Sequence, residues 1–190
     1  MTNNMTNLER PLSRNLFLAQ QVDQETMGPL SKSILEIRAH DAYLKDCYSL
    51  HDLTYKAKPI ILHIDSYGGS VYQCFGVLSI MTSEGTPVNT VVTGCAMSCG
   101  FMLAIHGAHR SIHKYGTMMY HQVSSGAFGK VADMEDEIFE AKRLQKQIEA
   151  MTLDLTKITK AKLEKVYKKK QDWYLDPAAA LKWGCVDKII

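Results

Sequence analysis

Two stretches share one plan, and that plan restricts the fold more than anything else in the chain. Pro59-Ile60-Ile61-Leu62-His63-Ile64 is a β-rich apolar run. It ends in the turn Asp65-Ser66-Tyr67-Gly68-Gly69-Ser70, after which Val71, Phe75, Leu78 and Met81 recur at helical spacing. Val88-Asn89-Thr90-Val91-Val92-Thr93 repeats the pattern. It runs into Gly94-Cys95-Ala96-Met97-Ser98-Cys99-Gly100 and out through the apolar run Phe101-Met102-Leu103-Ala104-Ile105. Strand, small-residue turn and helix in succession predict an α/β fold with parallel strands and crossover helices. Ligand-binding groups in such folds lie at the carboxyl ends of strands, where Gly68-Gly69 and Ser98 both fall. A serine there stands at a helix N-terminus, among free N–H groups and the positive end of the dipole. Its small neighbours admit an extended substrate backbone. Close packing alone also accounts for such a corner, so the corner by itself assigns no chemistry.

The remaining chain fits around these units. Residues 1–14 are expected to form a flexible tail and residues 15–190 a single domain. Asn15-Leu16-Phe17-Leu18-Ala19 is a short strand candidate. Asp23 is placed to cap a helix whose apolar positions are Leu30, Ile34 and Ile37, with Pro29 near its start. Residues 38–58 mix Tyr43, Leu44, Tyr48 and Leu50 with charges and read either as a helix extension or as a long loop. Short strands are expected near Arg110-Ser111-Ile112-His113 and Thr117-Met118-Met119-Tyr120-His121. A flexible stretch, residues 122–130, precedes a long helix over residues 131–156. The seam of that helix is Met134, Ile138, Ala141, Leu144, Ile148, Met151 and Leu155. At 1.5 Å per residue it is about 39 Å long. It is expected to protrude and to pack against a second subunit through Ile148 and Met151. A Lys-rich helix over residues 159–170 reads as a solvated face, since no aromatic residues interleave with its charges. Asp176 caps a last helix with Pro177 at its first position and Gly184 at its end, before a closing apolar strand.

Composition narrows the function classes. The net charge of +2 argues for neither a nucleic-acid partner nor a membrane surface. No apolar run reaches the length of a membrane span, and none near Met1 resembles a signal sequence. The five cysteines, Cys47, Cys74, Cys95, Cys99 and Cys185, are odd in number and lack metal-type clustering. They read as reduced thiols in a cytoplasmic protein without metal or other cofactor.

Ser98, His121, Asp172 and Gly68-Gly69 together supply what a serine hydrolase needs. The hydroxyl requires a base, the base requires an orienting carboxylate, and the oxyanion requires N–H donors. Each residue alone has an ordinary structural explanation. Spacing alone does not single out His121 over His106, His109 or His113.

Five strings add a resemblance. Ile64-Asp65-Ser66-Tyr67-Gly68-Gly69-Ser70-Val71 resembles the I-N-S-P-G-G-x-V motif of the Clp protease proteolytic subunit family, ClpP. Gly94-Cys95-Ala96-Met97-Ser98-Cys99-Gly100 resembles its G-x-A-A-S-M-G serine motif, and Met118-Met119-Tyr120-His121-Gln122 its M-I-H-Q-P histidine motif. Asp172-Trp173-Tyr174-Leu175, Ala178-Ala179-Ala180, Gly184 and Val186-Asp187 are similar to its ending. Leu16-Phe17-Leu18 with Val22-Asp23 is similar to its opening. The chain departs from the family at Tyr67, Met97, Cys99, Val123 and Gln171.

The resemblance implies a ClpP/crotonase-like α/β fold of repeated β-β-α units with a protruding long helix. It implies a serine endopeptidase with Ser98 as nucleophile, His121 as base and acid, and Asp172 as orienter. The N–H groups of Gly69 and Cys99 would form the oxyanion hole. An unfolded polypeptide would lie extended along Gly68, Ser70 and Val71 on one side and Ser124, Ser125 and Gly126 on the other. The family's two stacked seven-membered rings would be joined through a handle segment, about residues 122–157, and fed by an unfoldase ATPase. Other readings remain open: an inactive or regulatory ring subunit, a virus capsid-maturation protease of the same fold, and a hydratase-like relative without the triad.

Overall fold

The computed structural model describes residues 12–190; the expected tail falls almost wholly outside them. Strand β1 (Asn15–Leu18) leads to helix α1 (Gln24–Ser49), and β2 (Ile60–Ser66) to α2 (Val71–Thr82). Strand β3 (Val88–Met97) leads to α3 (Cys99–Ile105). Two short strands follow, β4 (Arg110–Ile112) and β5 (Thr117–Tyr120), and then the long helix α4 (Val131–Leu155). The chain closes with α5 (Lys160–Lys168), β6 (Trp173–Leu175), α6 (Pro177–Lys182) and β7 (Lys188–Ile189). This is the expected α/β architecture.

The main sheet runs in the order β1-β2-β3-β4-β7, every neighbouring pair parallel. Strand β3 is long enough to serve two partners on one edge. Its first half pairs with β4 through Thr90, Val91 and Val92, and its second half with β5 through Cys95, Ala96 and Met97. Strand β6 then adds antiparallel to β5. The sheet therefore forks at β3. Alternating burial along β2, with Ile60, Leu62 and Ile64 fully buried, is the period-2 pattern of a strand packed more heavily on one face. Helix α3 is buried along its whole length and packs on β2 and β3.

The ambiguous residues 38–58 divide. Helix α1 runs on to Ser49, and the rest is loop up to β2. Asp23 starts the helix with a reciprocal capping box: its carboxylate accepts from the Thr26 N–H at 3.0 Å, and the Thr26 hydroxyl accepts from the Asp23 N–H at 3.2 Å. The buried seam Met27, Leu30, Ile34, Ile37 continues through two charged residues, Arg38 and Asp41. Arg38 donates to the carbonyls of Ile80, Met81 and Thr86, closing the end of α2 against the start of β3. Asp41 accepts from Arg14, from Thr86 and from the Tyr55 hydroxyl. One buried carboxylate thus ties together the entry to β1, the loop after α1 and the entry to β3. Burial pulls the Asp41 carboxyl upward, but these three donors outweigh it and hold it at about 2.

Helix α4 begins and ends close to the expected bounds, but its seam does not stay on one surface. Leu144, Ile148 and Thr152 are buried against the domain. Val131, Ile138 and Phe139, near its start, are 67, 50 and 71% exposed. Ile148 belongs to the domain's own core and Met151 packs against that core, so Ile148 is not an exposed subunit contact. Most of the exposed apolar side chains of the helix lie in its first half, with Leu155 exposed at its end.

Candidate active site

The corner at Ser98 is built by strain and close approach. Strand β3 stops at Met97 and α3 starts at Cys99, so Ser98 alone makes the bend. It does so at φ 53°, ψ −119°, a conformation that L residues rarely adopt and that costs on the order of 1–3 kcal/mol. A strained serine between strand and helix is the geometry of a nucleophile elbow, which stands the hydroxyl out from the sheet. The Ser98 N–H donates to the Met119 carbonyl at 3.0 Å, which pins the bend to the end of β5.

The Gly68-Gly69 turn lies directly against this bend. A Cβ on Gly68 would fall 2.8 Å from the Ser98 Cβ and 2.9 Å from the Cys99 nitrogen. A Cβ on Gly69 would fall 2.3 Å from the Val22 carbonyl oxygen. Both glycines also have positive φ, 97° and 149°, so no other residue type fits either place without displacement. Two backbone hydrogen bonds hold the turn: Val22 N–H to the Gly68 carbonyl at 2.8 Å, and Ser70 N–H to the Val22 carbonyl at 2.7 Å. The buried Ser66 hydroxyl donates to the Gln20 carbonyl at 2.5 Å and accepts from the Gly68 N–H at 3.2 Å.

Thiols brace the same corner. The Cys99 thiol donates to the Gly69 carbonyl at 3.2 Å, and the Cys74 thiol, from α2, donates to the Cys99 carbonyl at 3.5 Å. Cys74 and Cys99 are both buried. Burial and the Asp65 carboxyl push Cys95 up to about 11. It is therefore a thiol, not a thiolate, at neutral pH, and a poor rival to Ser98 as nucleophile. Cys99, one of the departures from the familiar serine motif, is thus a buried side chain that packs and donates at this corner.

Sheet register sets where the remaining residues stand along their strands. Met97 pairs with Met119 in the parallel β3–β5 ladder, so Ser98 falls opposite Tyr120, one residue before His121. Tyr120 pairs with Trp173 in the antiparallel β5–β6 ladder, so His121 falls opposite Asp172. His121 Nδ1 lies 3.7 Å from Asp172 Oδ1, an ion-pair separation rather than a hydrogen bond. The His121 side chain is 25% exposed and that of Asp172 55%. His106 instead packs at the end of α3 with Nδ1 2.7 Å from the Met102 carbonyl, and His109 pairs with Asp187 at 3.7 Å. His113 directly follows β4, and His121 directly follows β5 beside Asp172. Val71 opens α2 next to the Gly turn, while Ser124, Ser125 and Gly126 lie in exposed, irregular chain after β5.

A family model described as Clp protease matches residues 11–190. The chain belongs to the Clp protease family. It is 28% identical over 182 residues to the ATP-dependent Clp protease proteolytic subunit of Bacteroides thetaiotaomicron, covering 94% of this chain and 75% of that protein. It is 28% identical over 180 residues to the ATP-dependent Clp protease proteolytic subunit 1 of Prochlorococcus marinus subsp. pastoris, covering 93% of this chain and 83% of that one. The figures for subunit 2 of a Synechococcus species are 27% over 179 residues, 93% and 83%. This is a divergent Clp protease chain, and the Ser98 corner lies within the matched span. Among its described residues, no helix is long and apolar enough to cross a membrane.

Two residues bonded to the chain around this site carry no recognisable sequence signal. Cys74 is one apolar residue among several on α2, and its thiol contact with Cys99 emerges only when α2 packs on α3. Gln145 looks like any polar residue of a long charged helix, yet it is 8% exposed and bonded to the chain on both sides of His121. Asp172 had the opposite history: its motif was readable, but its distance from His121 depends on a two-strand register.

Proposed function

We propose that this chain is a serine endopeptidase that cuts unfolded polypeptides through Ser98, His121 and Asp172. What supports the reading is the register at the sheet fork: Met97 pairs with Met119 and Tyr120 with Trp173, and Ser98 follows β3, His121 follows β5 and Asp172 precedes β6. Ser98 Oγ attacks the scissile carbonyl carbon while His121 takes the hydroxyl proton. The carbonyl oxygen becomes an oxyanion facing the N–H groups of Gly69 and Cys99. Collapse breaks the C–N bond, and His121 delivers its proton to the departing amine. Water then gives His121 a proton and attacks the acyl-serine, releasing the new carboxyl end and restoring Ser98.

Asp172 orients the imidazole and balances its charge. At 3.7 Å the pair must close by roughly 1 Å to become a hydrogen bond. The substrate lies extended between residues 68–71 and residues 124–126, with Gly68 and Gly69 permitting close approach. The exposed first half of α4 joins subunits into stacked rings, and an unfoldase ATPase delivers chains to a cytoplasmic chamber.

The test is peptide hydrolysis by the wild-type chain and by Ser98→Ala. The reading requires turnover in the first and a loss of at least about a thousandfold in the second, with unchanged assembly mass. Equal turnover in both removes Ser98 as nucleophile. The open His121–Asp172 distance favours one other reading, a ring subunit without catalysis, which predicts no turnover in either protein.

A further inference from the structure

Helix α4 sends one buried amide across to the chain around His121. Gln145 Oε1 accepts from the Val123 N–H at 2.7 Å. Gln145 Nε2 donates to the Tyr120 hydroxyl at 3.3 Å and to Glu149 Oε1 at 2.8 Å. Tyr120 immediately precedes His121, and Val123 follows it by two residues. The same side chain therefore grips the histidine segment on both flanks.

The partners also fix which way the amide points. A backbone N–H can only donate, so the atom facing Val123 must be oxygen. A carboxylate can only accept, so the atom facing Glu149 must be the NH₂ group. Reversing the amide would lose both bonds. Tyr120 is 3% exposed and its ring meets Phe101 of α3 edge-on, at 5.7 Å between centroids, so one flank is anchored in the core. The Val123 flank has left β5 and enters irregular chain, and there the Gln145 oxygen takes the place of a ladder partner.

We propose that Gln145 is a positioning residue for the peptidase reaction, holding the Tyr120–Val123 turn so that His121 faces Ser98. This rests on the serine-peptidase reading. Gln145 touches no reacting atom; it acts by limiting where the imidazole sits. A displacement of about 1 Å at a catalytic group costs up to a hundredfold in rate. A side chain that merely stabilised the domain would leave the rate of the folded fraction unchanged.

The experiment measures labelling of Ser98 by a fluorophosphonate, together with kcat and KM for an unstructured peptide. The proteins are the full chain, Gln145→Met, Tyr120→Phe and the double variant. The expected result is labelling and kcat both slowed roughly tenfold or more in Gln145→Met, with KM within about twofold. Tyr120→Phe should show a smaller loss, and the double variant should be no slower than Gln145→Met, because both changes break one bridge. Normal rates per folded chain in Gln145→Met, or a loss confined to KM, overturn the proposal. If Gln145→Met does not fold, Tyr120→Phe decides alone: unchanged labelling overturns the proposal. Absence of labelling in the wild type is a separate outcome, which removes the serine-peptidase reading itself.

Discussion

Ser98 and Gly68 form one unit, because the bend at the serine leaves room for a hydrogen and nothing more on the facing turn. Gly68→Ala would set a methyl group 2.8 Å from the Ser98 Cβ and 2.9 Å from the Cys99 nitrogen, at a φ of 97°. The substitution is expected to cost about 2 kcal/mol or more in urea unfolding. Because the displaced atoms belong to the proposed nucleophile and a proposed oxyanion donor, peptide turnover should fall further than the folded fraction does. Loss of stability with full turnover per folded chain would separate the turn from the chemistry. Cys99 is a second case at this scale. Its thiol ties the Gly69 carbonyl to the start of α3, a contact that no apolar residue of similar size reproduces.

At the scale of elements, the Asp41 hub decides how α1 sits. Three donors hold the carboxylate at about 2 in the folded chain, against an ordinary value of 3.8. A depressed folded value contributes stability that is complete above the unfolded pKa and is lost as the pH falls toward the folded one. The hub should therefore stabilise the domain by about 2 kcal/mol at neutral pH, fading between about pH 5 and pH 2. Unfolding by urea at pH 7 and pH 3 should show a smaller drop in Asp41→Asn than in the wild type. An equal drop would assign the acid sensitivity elsewhere.

The same element shows where the sequence ceases to be readable. Met27, Leu30, Ile34 and Ile37 announce a helix by spacing, and Asp23 marks its start. The seam then passes through Arg38 and Asp41, charges that read as surface until their partners arrive from the chain before β1, the loop after α1, and the end of α2 with the start of β3. The strand–turn–helix units at Gly68-Gly69 and Ser98 were legible because small residues at strand ends have few other uses. Helix α4 was legible in length but not in how its seam divides, since periodicity does not say which turns meet the domain and which meet solvent.

For the whole molecule, the divided seam of α4 makes a prediction that separates folding from assembly. Ile138→Asp or Phe139→Asp changes a side chain that is half exposed or more in the single chain, so the thermal midpoint of the isolated subunit should move little. If this end of α4 meets another subunit, the mass by light scattering should fall. Ile148→Asp buries a charge in the domain core and should prevent folding, at a cost of several kcal/mol. Unchanged mass for both of the exposed variants would place the subunit contact on another surface.

Ser98 is proposed to be a working nucleophile with His121 as its base. The most direct measurement is reaction of the assembled protein with a fluorophosphonate probe, followed by mapping of the modified residue by mass spectrometry. Modification is expected at Ser98, disappearing in His121→Ala and slowed strongly in Asp172→Asn. Modification at another residue, or equal labelling of Ser98 with and without the His121 imidazole, would contradict it.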